Sequence, residues 1–259
     1  MRFTQAQVDE YAETGVLFLP ELFSAAEVAV LQAGFDAAIE AHAGGVQTGV
    51  QIALAPHEKS EMFDLLARHP RLVEPSTQLL GSPVYVHRCK LHGKLPFTKE
   101  HVPWHQDYKR WHLTDRMPAP RVLSAAVFIV DVTEFNGPIV LIPGSQKEGM
   151  LLRSAPGTLD LELEYRQYDV DTETVGRLIM KYGIVAPKGP AGSAIFFDAN
   201  MVHTSGPNLT PFHRDIFLIA YNSVENVLLP VEKPREEGLA SRTFDPIECV
   251  SNDIFLGAG

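Results

Sequence analysis

The N-terminal part of the chain carries apolar residues at helical spacing, in short segments that glycine or proline ends. Thr4 and Gln7 have the spacing of a capping box, which predicts a helix that ends at Gly15. The apolar run 16–19 that follows is typical of a short strand, and Pro20 ends it.

A second capping box, formed by Ser24 and Glu27, begins a longer helical pattern. The apolar positions 28, 31, 35 and 39 fall on one face of this helix, which we expect to end at Gly44–Gly45. Two further helices are predicted over 59–68 and 70–80, and Gly81 stops the second.

From residue 83 the pattern changes to short β-rich runs bounded by turn residues. The predicted strands lie at 84–88, 122–131, 139–142, 193–198 and 215–224. Residues 150–188 are less regular and highly charged, with one short helix at 174–182, and we interpret them as an insertion between strands. The last segment, 225–259, is a tail rich in proline and acidic residues.

Helices followed by many short strands predict an α+β chain that is mainly β. A double-sheet β barrel with the N-terminal helices packed outside accounts for this order, although periodicity alone does not separate a jelly roll from other barrels. We expect one domain over 1–259, with helical support in 1–82, the barrel in 83–224 and the tail after it.

Composition and charge narrow the class of partner. The chain has 259 residues, 45% of them hydrophobic, with a net charge of -10 and a pI near 5.4. This acidity disfavours nucleic acid and anionic membranes as partners, but it says little about a small-molecule substrate, because a local cationic pocket can lie inside an acidic protein. Two cysteines, no apolar leader and no long apolar run predict a cytoplasmic protein, and both a monomer and a homodimer remain open.

Three residues have the chemistry of a metal site. His105 and Asp107 are two positions apart, so on a strand they would project to the same side, and His203 lies far along the chain, in a predicted loop after an apolar strand. Two imidazoles and one carboxylate are the ligand set of non-haem Fe(II) oxygenases. Without a third ligand, His105 and Asp107 would simply be solvated residues on a surface strand.

Arg214 follows His203 by eleven residues and strengthens the metal interpretation. On the next strand it would point into the same barrel, where its guanidinium group suits a bidentate contact with a carboxylate. This favours 2-oxoglutarate as cosubstrate with O2, because three protein ligands leave positions for both. The alternative is an exposed arginine paired with Asp215 or Asp198.

Five motifs resemble the phytanoyl-CoA dioxygenase family of Fe(II)/2-oxoglutarate oxygenases, and most closely its ectoine and free amino acid hydroxylases. They are Trp104-His105-Gln106-Asp107-Tyr108, Met117-Pro118-Ala119-Pro120-Arg121, the run 131–138, Leu141-Ile142-Pro143-Gly144-Ser145, and His203-x-Ser205-x-x-Asn208, with Tyr221-Asn222 in addition. The resemblance spans residues 3–243 and implies a double-stranded β-helix (jelly roll, cupin-like) fold.

The resemblance also implies roles for individual residues. His105, Asp107 and His203 correspond to the iron ligands. Four further positions, Arg214, Ser205, Ser124 and Lys90, correspond to contacts with 2-oxoglutarate. Trp111 corresponds to an aromatic side chain beside the substrate pocket, although a core tryptophan is the alternative.

The chain departs from these relatives on the strand that carries Lys90. The related hydroxylases commonly have Gln-x-x-x-Asn there, whereas this chain has Arg88 and His92. We therefore expect both to contact substrate, with Arg88 holding a substrate carboxylate.

The sequence thus predicts an Fe(II)- and 2-oxoglutarate-dependent dioxygenase that hydroxylates an unactivated C–H bond of a free amino acid or related small polar metabolite. Succinate and CO2 are the expected co-products, and ascorbate is expected to support activity in vitro. Desaturation, epoxidation or cyclisation at the same site remains an alternative, because substrate placement decides between them. A jelly roll that binds a ligand without turnover is the non-enzyme alternative.

Overall fold

The fold was obtained as a computed structural model, which describes residues 1–41, 49–151 and 169–256. Its helices are α1 Gln5–Thr14, α2 Ala25–Ala41, α3 Pro56–Lys59, α4 Glu61–Ala67, α5 Pro70–Leu80, α6 Asp107–Asp115 and α7 Thr172–Tyr182. Its strands are β1 Val16–Leu19, β2 Val50–Leu54, β3 Val84–Lys94, β4 Val102–His105, β5 Val122–Phe128, β6 Ile139–Leu141, β7 Ala194–Asp198, β8 His203–Ser205 and β9 Arg214–Ser223.

The helix ends predicted at Thr4, Gly15, Ser24 and Gly81 are confirmed, whereas the helix predicted over 59–68 begins only at Glu61, because Ser60 is extended and separates α4 from α3. The Thr4 hydroxyl accepts a hydrogen bond from the backbone N–H of Gln7, and α1 ends at Gly15, whose φ of 73° lies in the left-handed region. The Ser24–Glu27 capping box is also present, and Gly81 ends α5 in the same left-handed conformation. The end of α2 predicted at Gly44–Gly45 lies outside the described residues.

Two antiparallel sheets make up the β structure. The larger has the strand order β1-β7-β5-β9-β3-β2, and the smaller has the order β4-β8-β6. The described strands form two separately hydrogen-bonded sheets and not one closed barrel. The predicted double-sheet architecture is therefore confirmed, with the site between the two sheets.

The two faces of the larger sheet bury different residues, as strand alternation requires. One face packs against the N-terminal helices and contributes Leu91, Ala125, Phe196 and Phe217 to the main core. The opposite face contributes Ala126, Phe128, Ile195 and Ile216 to a second cluster with Ile139 and Leu141 of the small sheet. Helices therefore cover the outside, and the inner face is left to line a cavity.

Several elements differ from the sequence prediction. The strand β2 lies within the segment 1–82 that was predicted to be mainly helical, and it pairs with β3. The region around Asp107 was predicted as strand but begins helix α6, and the loop predicted at His203 is the strand β8. Polar residues interrupt the apolar period in these short elements, so the sequence pattern does not show their type. The predicted insertion is described at 150–151 and 169–188, where α7 matches the predicted helix.

The C-terminal tail lies against the body of the protein. The N–H of Ser241 donates to the carbonyl of His87, and the N–H of Ile247 donates to the carbonyl of Val84. Phe255 is buried and stacks on His69, with ring centroids 5.7 Å apart.

None of the helices in the described ranges is long and apolar enough to cross a membrane. Both cysteines are free thiols, Cys89 buried and Cys249 exposed.

Candidate metal centre

His105, Asp107 and His203 meet at one point between the two sheets. Each offers one ligand atom, and the three atoms lie within 4.8 Å of one another. The Nε2 atom of His105 is 3.5 Å from Asp107 Oδ1, and Nε2 of His203 is 3.8 Å from Asp107 Oδ2. Among the described residues, this is the one group of three or more His, Cys, Asp or Glu side chains that could hold a metal ion.

Strand register places the two histidines side by side. His105 ends β4 and is the direct antiparallel partner of His203, which begins β8. The two imidazole centroids are 4.1 Å apart. Since facing residues on adjacent strands are the closest cross-strand neighbours, the pairing brings together residues that are almost a hundred positions apart.

Asp107 reaches the site differently from the prediction. It does not share a strand with His105, because Gln106 caps helix α6 and Asp107 is its first residue. The turn from strand to helix brings the carboxylate back towards His105. The N-terminus of a helix also favours a negative charge, so the helix dipole supports the ionised carboxylate.

Backbone hydrogen bonds fix both histidine rings. Nδ1 of His105 is 2.8 Å from the carbonyl oxygen of Pro103, and Nδ1 of His203 is 2.9 Å from that of Met201. A carbonyl only accepts, so each neutral ring carries its proton on Nδ1. Each Nε2 lone pair is then directed at the common point, as metal ligation requires.

The electrostatics keep Asp107 and His203 in the protonation states that metal ligands need. Burial would raise the pKa of Asp107, but His203, His105 and Lys90 outweigh it, and the pKa is far below its usual value. Burial lowers the pKa of His203 to about 4, and His105 adds to this effect. At neutral pH the site therefore holds a carboxylate beside a neutral His203 imidazole.

The donor set fits a divalent transition metal, and Fe(II) in particular. Such an ion would be held by two imidazole nitrogens and one carboxylate, and because all three residues line the cavity, it would be accessible from there. Ser124 supports the carboxylate from the larger sheet, because its hydroxyl donates to Asp107 Oδ2 at 3.1 Å. Such hydrogen bonds orient metal ligands and tune their basicity.

A single cavity joins the triad to the other predicted site residues. Its lining includes the triad and all seven remaining candidates: Arg88, Lys90, His92, Trp111, Ser124, Ser205 and Arg214. Arg88, Lys90 and His92 are alternate residues of β3. Arg214 begins the neighbouring strand β9, where it pairs with Lys94. The inner face of the larger sheet therefore carries most of the polar lining.

Arg214 is buried, with 1% of its surface exposed, which excludes the alternative of an exposed arginine. Its Nη1 donates to the carbonyl of His92 at 3.2 Å, and its Nη2 lies 3.1 Å from Nδ1 of His92. Burial lowers the pKa of Arg214 to about 10, so the guanidinium stays charged near neutral pH. His92 thus orients Arg214, a role that the sequence prediction did not assign to it.

Lys90 and Arg88 add positive charge to the same wall. Burial lowers the pKa of Lys90 to about 7, and the charges of Arg88 and Arg214 lower it further while Asp107 opposes them. Burial also lowers the pKa of His92 well below its usual value, with Arg214 as the next cause. Cations gathered in a partly buried cavity favour an anionic occupant.

Trp111 is buried in the core and also borders the cavity, whereas its contact with substrate stays a prediction. It is 2% exposed and packs in a cluster with Tyr108, Met117 and Val122, so it is a core residue. Its ring also lines the cavity. The Trp111 side chain therefore belongs both to the core and to the wall of the cavity.

Two buried residues that hold the site together were missed in the sequence. Lys94 is fully buried, and its ammonium group donates to the carbonyls of Ser205 and Gly206, which ties β3 to the end of β8. Gln106, also fully buried, donates to the carbonyl of Asn200 at 2.7 Å. The alternation 88, 90, 92, 94 was the signal for Lys94, and for Gln106 it was the position between the two predicted ligands His105 and Asp107.

Comparison with known proteins places this geometry in a family. The sequence profile described as Phytanoyl-CoA dioxygenase (PhyH) matches residues 11–216. An ectoine dioxygenase from Bordetella bronchiseptica is 36% identical over 251 residues, covering 91% of this chain and 82% of that protein. An L-proline trans-4-hydroxylase from Streptomyces griseoviridis is 37% identical over 204 residues, covering 76% of this chain and 75% of that protein.

A solved structure extends the comparison to three dimensions. The crystal structure of EctD from S. alaskensis with 2-oxoglutarate and 5-hydroxyectoine matches with a TM-score of 0.81 and 31% identity. The match covers 96% of this chain and 87% of that one. Together with the two observed sheets, it confirms the jelly-roll fold predicted from the sequence.

Proposed function

Because the chain belongs to the phytanoyl-CoA dioxygenase family, we propose that it hydroxylates an unactivated C–H bond of a free amino acid or a related small polar metabolite. It is a non-haem Fe(II)- and 2-oxoglutarate-dependent dioxygenase, as its similarity to ectoine dioxygenases and to iron- and 2-oxoglutarate-bound EctD structures indicates. The observation that carries the proposal is one cavity that contains the triad, the buried Arg214 and a cationic wall.

In this proposal His105, Asp107 and His203 hold Fe(II). The bound ion provides the site at which O2 and 2-oxoglutarate react to give succinate and CO2, with one oxygen atom passing to the substrate. The chain's own contribution is to direct the Nε2 atoms of both histidines towards the ion, to orient the Asp107 carboxylate through the Ser124 hydroxyl, and to leave the cavity side open.

Arg214 and Ser205 form the proposed clamp for 2-oxoglutarate. Arg214 is a buried cation held by His92, so it is already oriented when the distal carboxylate arrives. Ser205 is buried two residues after His203 and lines the same cavity. Lys90, close to both Asp107 and Arg214, adds charge that favours a dianionic cosubstrate.

Arg88 is the proposed partner of a substrate carboxylate. It lies on β3 two residues from Lys90 and lines the cavity with Trp111. A guanidinium group matches a carboxylate with two hydrogen bonds, while the Trp111 ring offers an apolar surface for the carbon skeleton. A free amino acid offers both a carboxylate and a carbon skeleton. The cytoplasmic location stays a prediction, and a monomer and a homodimer both stay open.

The function is tested by an aerobic screen of free amino acids with Fe(II), ascorbate and 2-oxoglutarate. The expected result is a product heavier by one oxygen atom, together with succinate, and neither product in anaerobic samples. Succinate with a product of another mass would favour desaturation or cyclisation. Binding without turnover of any compound would contradict the proposal.

Arg88→Ala tests the substrate assignment. Loss of a charge-assisted bidentate contact is expected to raise the KM for the amino acid by about 10- to 100-fold, with the KM for 2-oxoglutarate unchanged. Arg121→Ala is the matched control, because Arg121 forms an exposed pair with Glu225. Equal changes in both KM values would remove Arg88 from the substrate site.

A further inference from the structure

Helix α6 links the metal centre to a polar cluster on the far side of the pocket wall. It begins at Asp107, carries Trp111 one turn later, and ends at Asp115. Asp115 is 4% exposed although it is a carboxylate, so its charge must be compensated by neighbours. The position of the last residue of this helix therefore depends on what contacts that carboxylate.

The tail supplies the compensating charge. Arg235 grips Asp115 with two hydrogen bonds, one of them from Nε to Oδ1 at 2.6 Å and the other from Nη2 to Oδ2. Nε2 of His87 approaches the same carboxylate at 3.5 Å. Burial would raise the pKa of Asp115, but the nearby His87 ring and the Arg235 guanidinium outweigh it, and the net pKa is lowered.

His87 contacts Trp111 as well as Asp115. The two rings pack edge to face, with centroids 4.9 Å apart and planes at 73°. Nε1 of Trp111 is buried and has no hydrogen-bond partner among the residues that the structure describes. Since no hydrogen bond of its own holds the indole, its orientation depends on the His87 ring and on the apolar cluster to which Trp111 belongs, against which the tail residue Leu228 packs.

The backbone of the tail reinforces the same helix end. Leu229 donates its N–H to the carbonyl of Arg116, and Arg116 donates from Nη1 to the carbonyl of Pro230 at 2.7 Å. Nη2 of Arg235 also donates to the carbonyl of Leu239, so the tail folds back on the Arg235 side chain. Residues 228–239 thus hold the C-terminal end of α6, whereas the metal ligand Asp107 lies at its N-terminal end.

We infer that the tail segment 228–239 is a specificity element: through Arg235, Asp115 and His87 it positions Trp111, and so shapes the substrate side of the pocket. Arg235 is a positioning residue in this scheme, because it acts through Trp111 and lies outside the cavity lining. The part that concerns substrate rests on the proposed function, whereas the part that concerns Trp111 does not.

The test uses Trp111 as its own reporter. The chain has two tryptophans, so Trp104→Phe leaves Trp111 as the single one. In this background Arg235→Gln is expected to shift the Trp111 emission to the red and to increase its quenching by acrylamide, without any ligand present. Arg235→Lys keeps the charge but loses the bidentate geometry, so an intermediate value is expected. Arg121→Gln, at an exposed pair, is the matched control and should change neither signal.

Kinetics extend the test to specificity, with L-proline as the first probe and otherwise the amino acid that the screen identifies. Arg235→Gln is expected to raise the substrate KM about tenfold through misplacement of the pocket wall, while the KM for 2-oxoglutarate stays unchanged. Arg235→Lys should restore part of the loss.

The outcomes separate this inference from the proposed function. Trp111 emission and quenching identical to the parent in both Arg235 variants would overturn the inference, whatever the enzyme oxidises. Equal increases in both KM values would also overturn it, because they indicate a general loss of structure. If Arg235→Gln does not fold, Arg235→Lys decides. If no amino acid is turned over, the fluorescence result still stands on its own.

Discussion

At the scale of single residues, the site depends on side chains that are held before any ligand arrives. Both triad histidines have Nδ1 against a carbonyl two residues earlier, and Asp107 receives the hydroxyl of Ser124. Such preorganisation lowers the cost of binding, because the rotamers need no further ordering. Ser124 therefore supports the metal ligand, a contact that differs from the role in cosubstrate binding implied by the family resemblance.

Ser124→Ala is expected to weaken metal binding about tenfold, because the carboxylate loses its hydrogen-bond donor while the volume of the side chain changes little. The measurement is an anaerobic titration with Fe(II). Ser76→Ala is a suitable control, because Ser76 is also buried but bonds to the carbonyl of Leu72, away from the site. An unchanged metal affinity in Ser124→Ala would show that the hydrogen bond does not tune Asp107.

Arg214→Ala is expected to weaken 2-oxoglutarate binding by about 10- to 100-fold, since a buried charge-assisted contact with the distal carboxylate is lost. Metal affinity should not change, because Arg214 is not one of the three ligands. Titration of the Fe(II)-loaded protein with 2-oxoglutarate measures the effect, and Arg177→Ala, at an exposed arginine, serves as control. A normal 2-oxoglutarate affinity would remove Arg214 from the clamp.

At the scale of elements, the segment between β7 and β8 delivers His203 to the site. Asp198 ends β7, accepts the N–H of Asn200 at 2.7 Å, and gives its own N–H to the carbonyl of Gly15. Burial raises the pKa of its carboxyl to about 6, and the hydrogen bond from Asn200 only partly opposes this. The folded protein therefore holds a proton there more tightly than the unfolded chain does.

The sign of the pH effect follows from that shift. Between about pH 4 and 6 the folded state binds more protons at Asp198, so this group's contribution to stability is lost as the pH rises through about 6. Asp198→Asn should therefore raise the free energy of unfolding at pH 8 by up to roughly 3 kcal/mol, and by much less at pH 4.5. Urea unfolding at both pH values measures it, with the exposed Asp64→Asn as control. A gain that is the same at both pH values would contradict the assignment.

The sequence predicted elements well where local signals are strong. The capping boxes at Thr4 and Ser24 and the apolar run of β5 were recognised, because each is coded within a few residues. Helix α6 and strand β8 were missed, because β8 has three residues and α6 follows the strand β4 after a single capping residue. Strand pairing makes β8 a strand, and the turn at Gln106 starts α6. The period of apolar residues in the sequence shows neither.

At the scale of the whole molecule, the candidate site was predictable as a set of residue types but not as an arrangement. All ten predicted site residues line one cavity, to which β3 contributes Arg88, Lys90 and His92 from alternate positions and β9 contributes Arg214. The sequence could not show that Ser124 contacts Asp107 or that His92 orients Arg214. It also could not show that Arg235 of the tail reaches the end of α6. These contacts join residues from distant parts of the chain, and only the folded chain sets their distances.

The central claim is that β4, α6 and β8 each bring one ligand to a single Fe(II) ion. Anaerobic titration with Fe(II) tests it most directly, on the parent protein and on Asp107→Ala and His203→Ala, with the exposed His101→Ala as the matched control. One ion should bind per chain in the parent and in His101→Ala, and removal of either ligand should weaken binding by at least about 100-fold. Parent-like Fe(II) binding in both Asp107→Ala and His203→Ala would contradict the account.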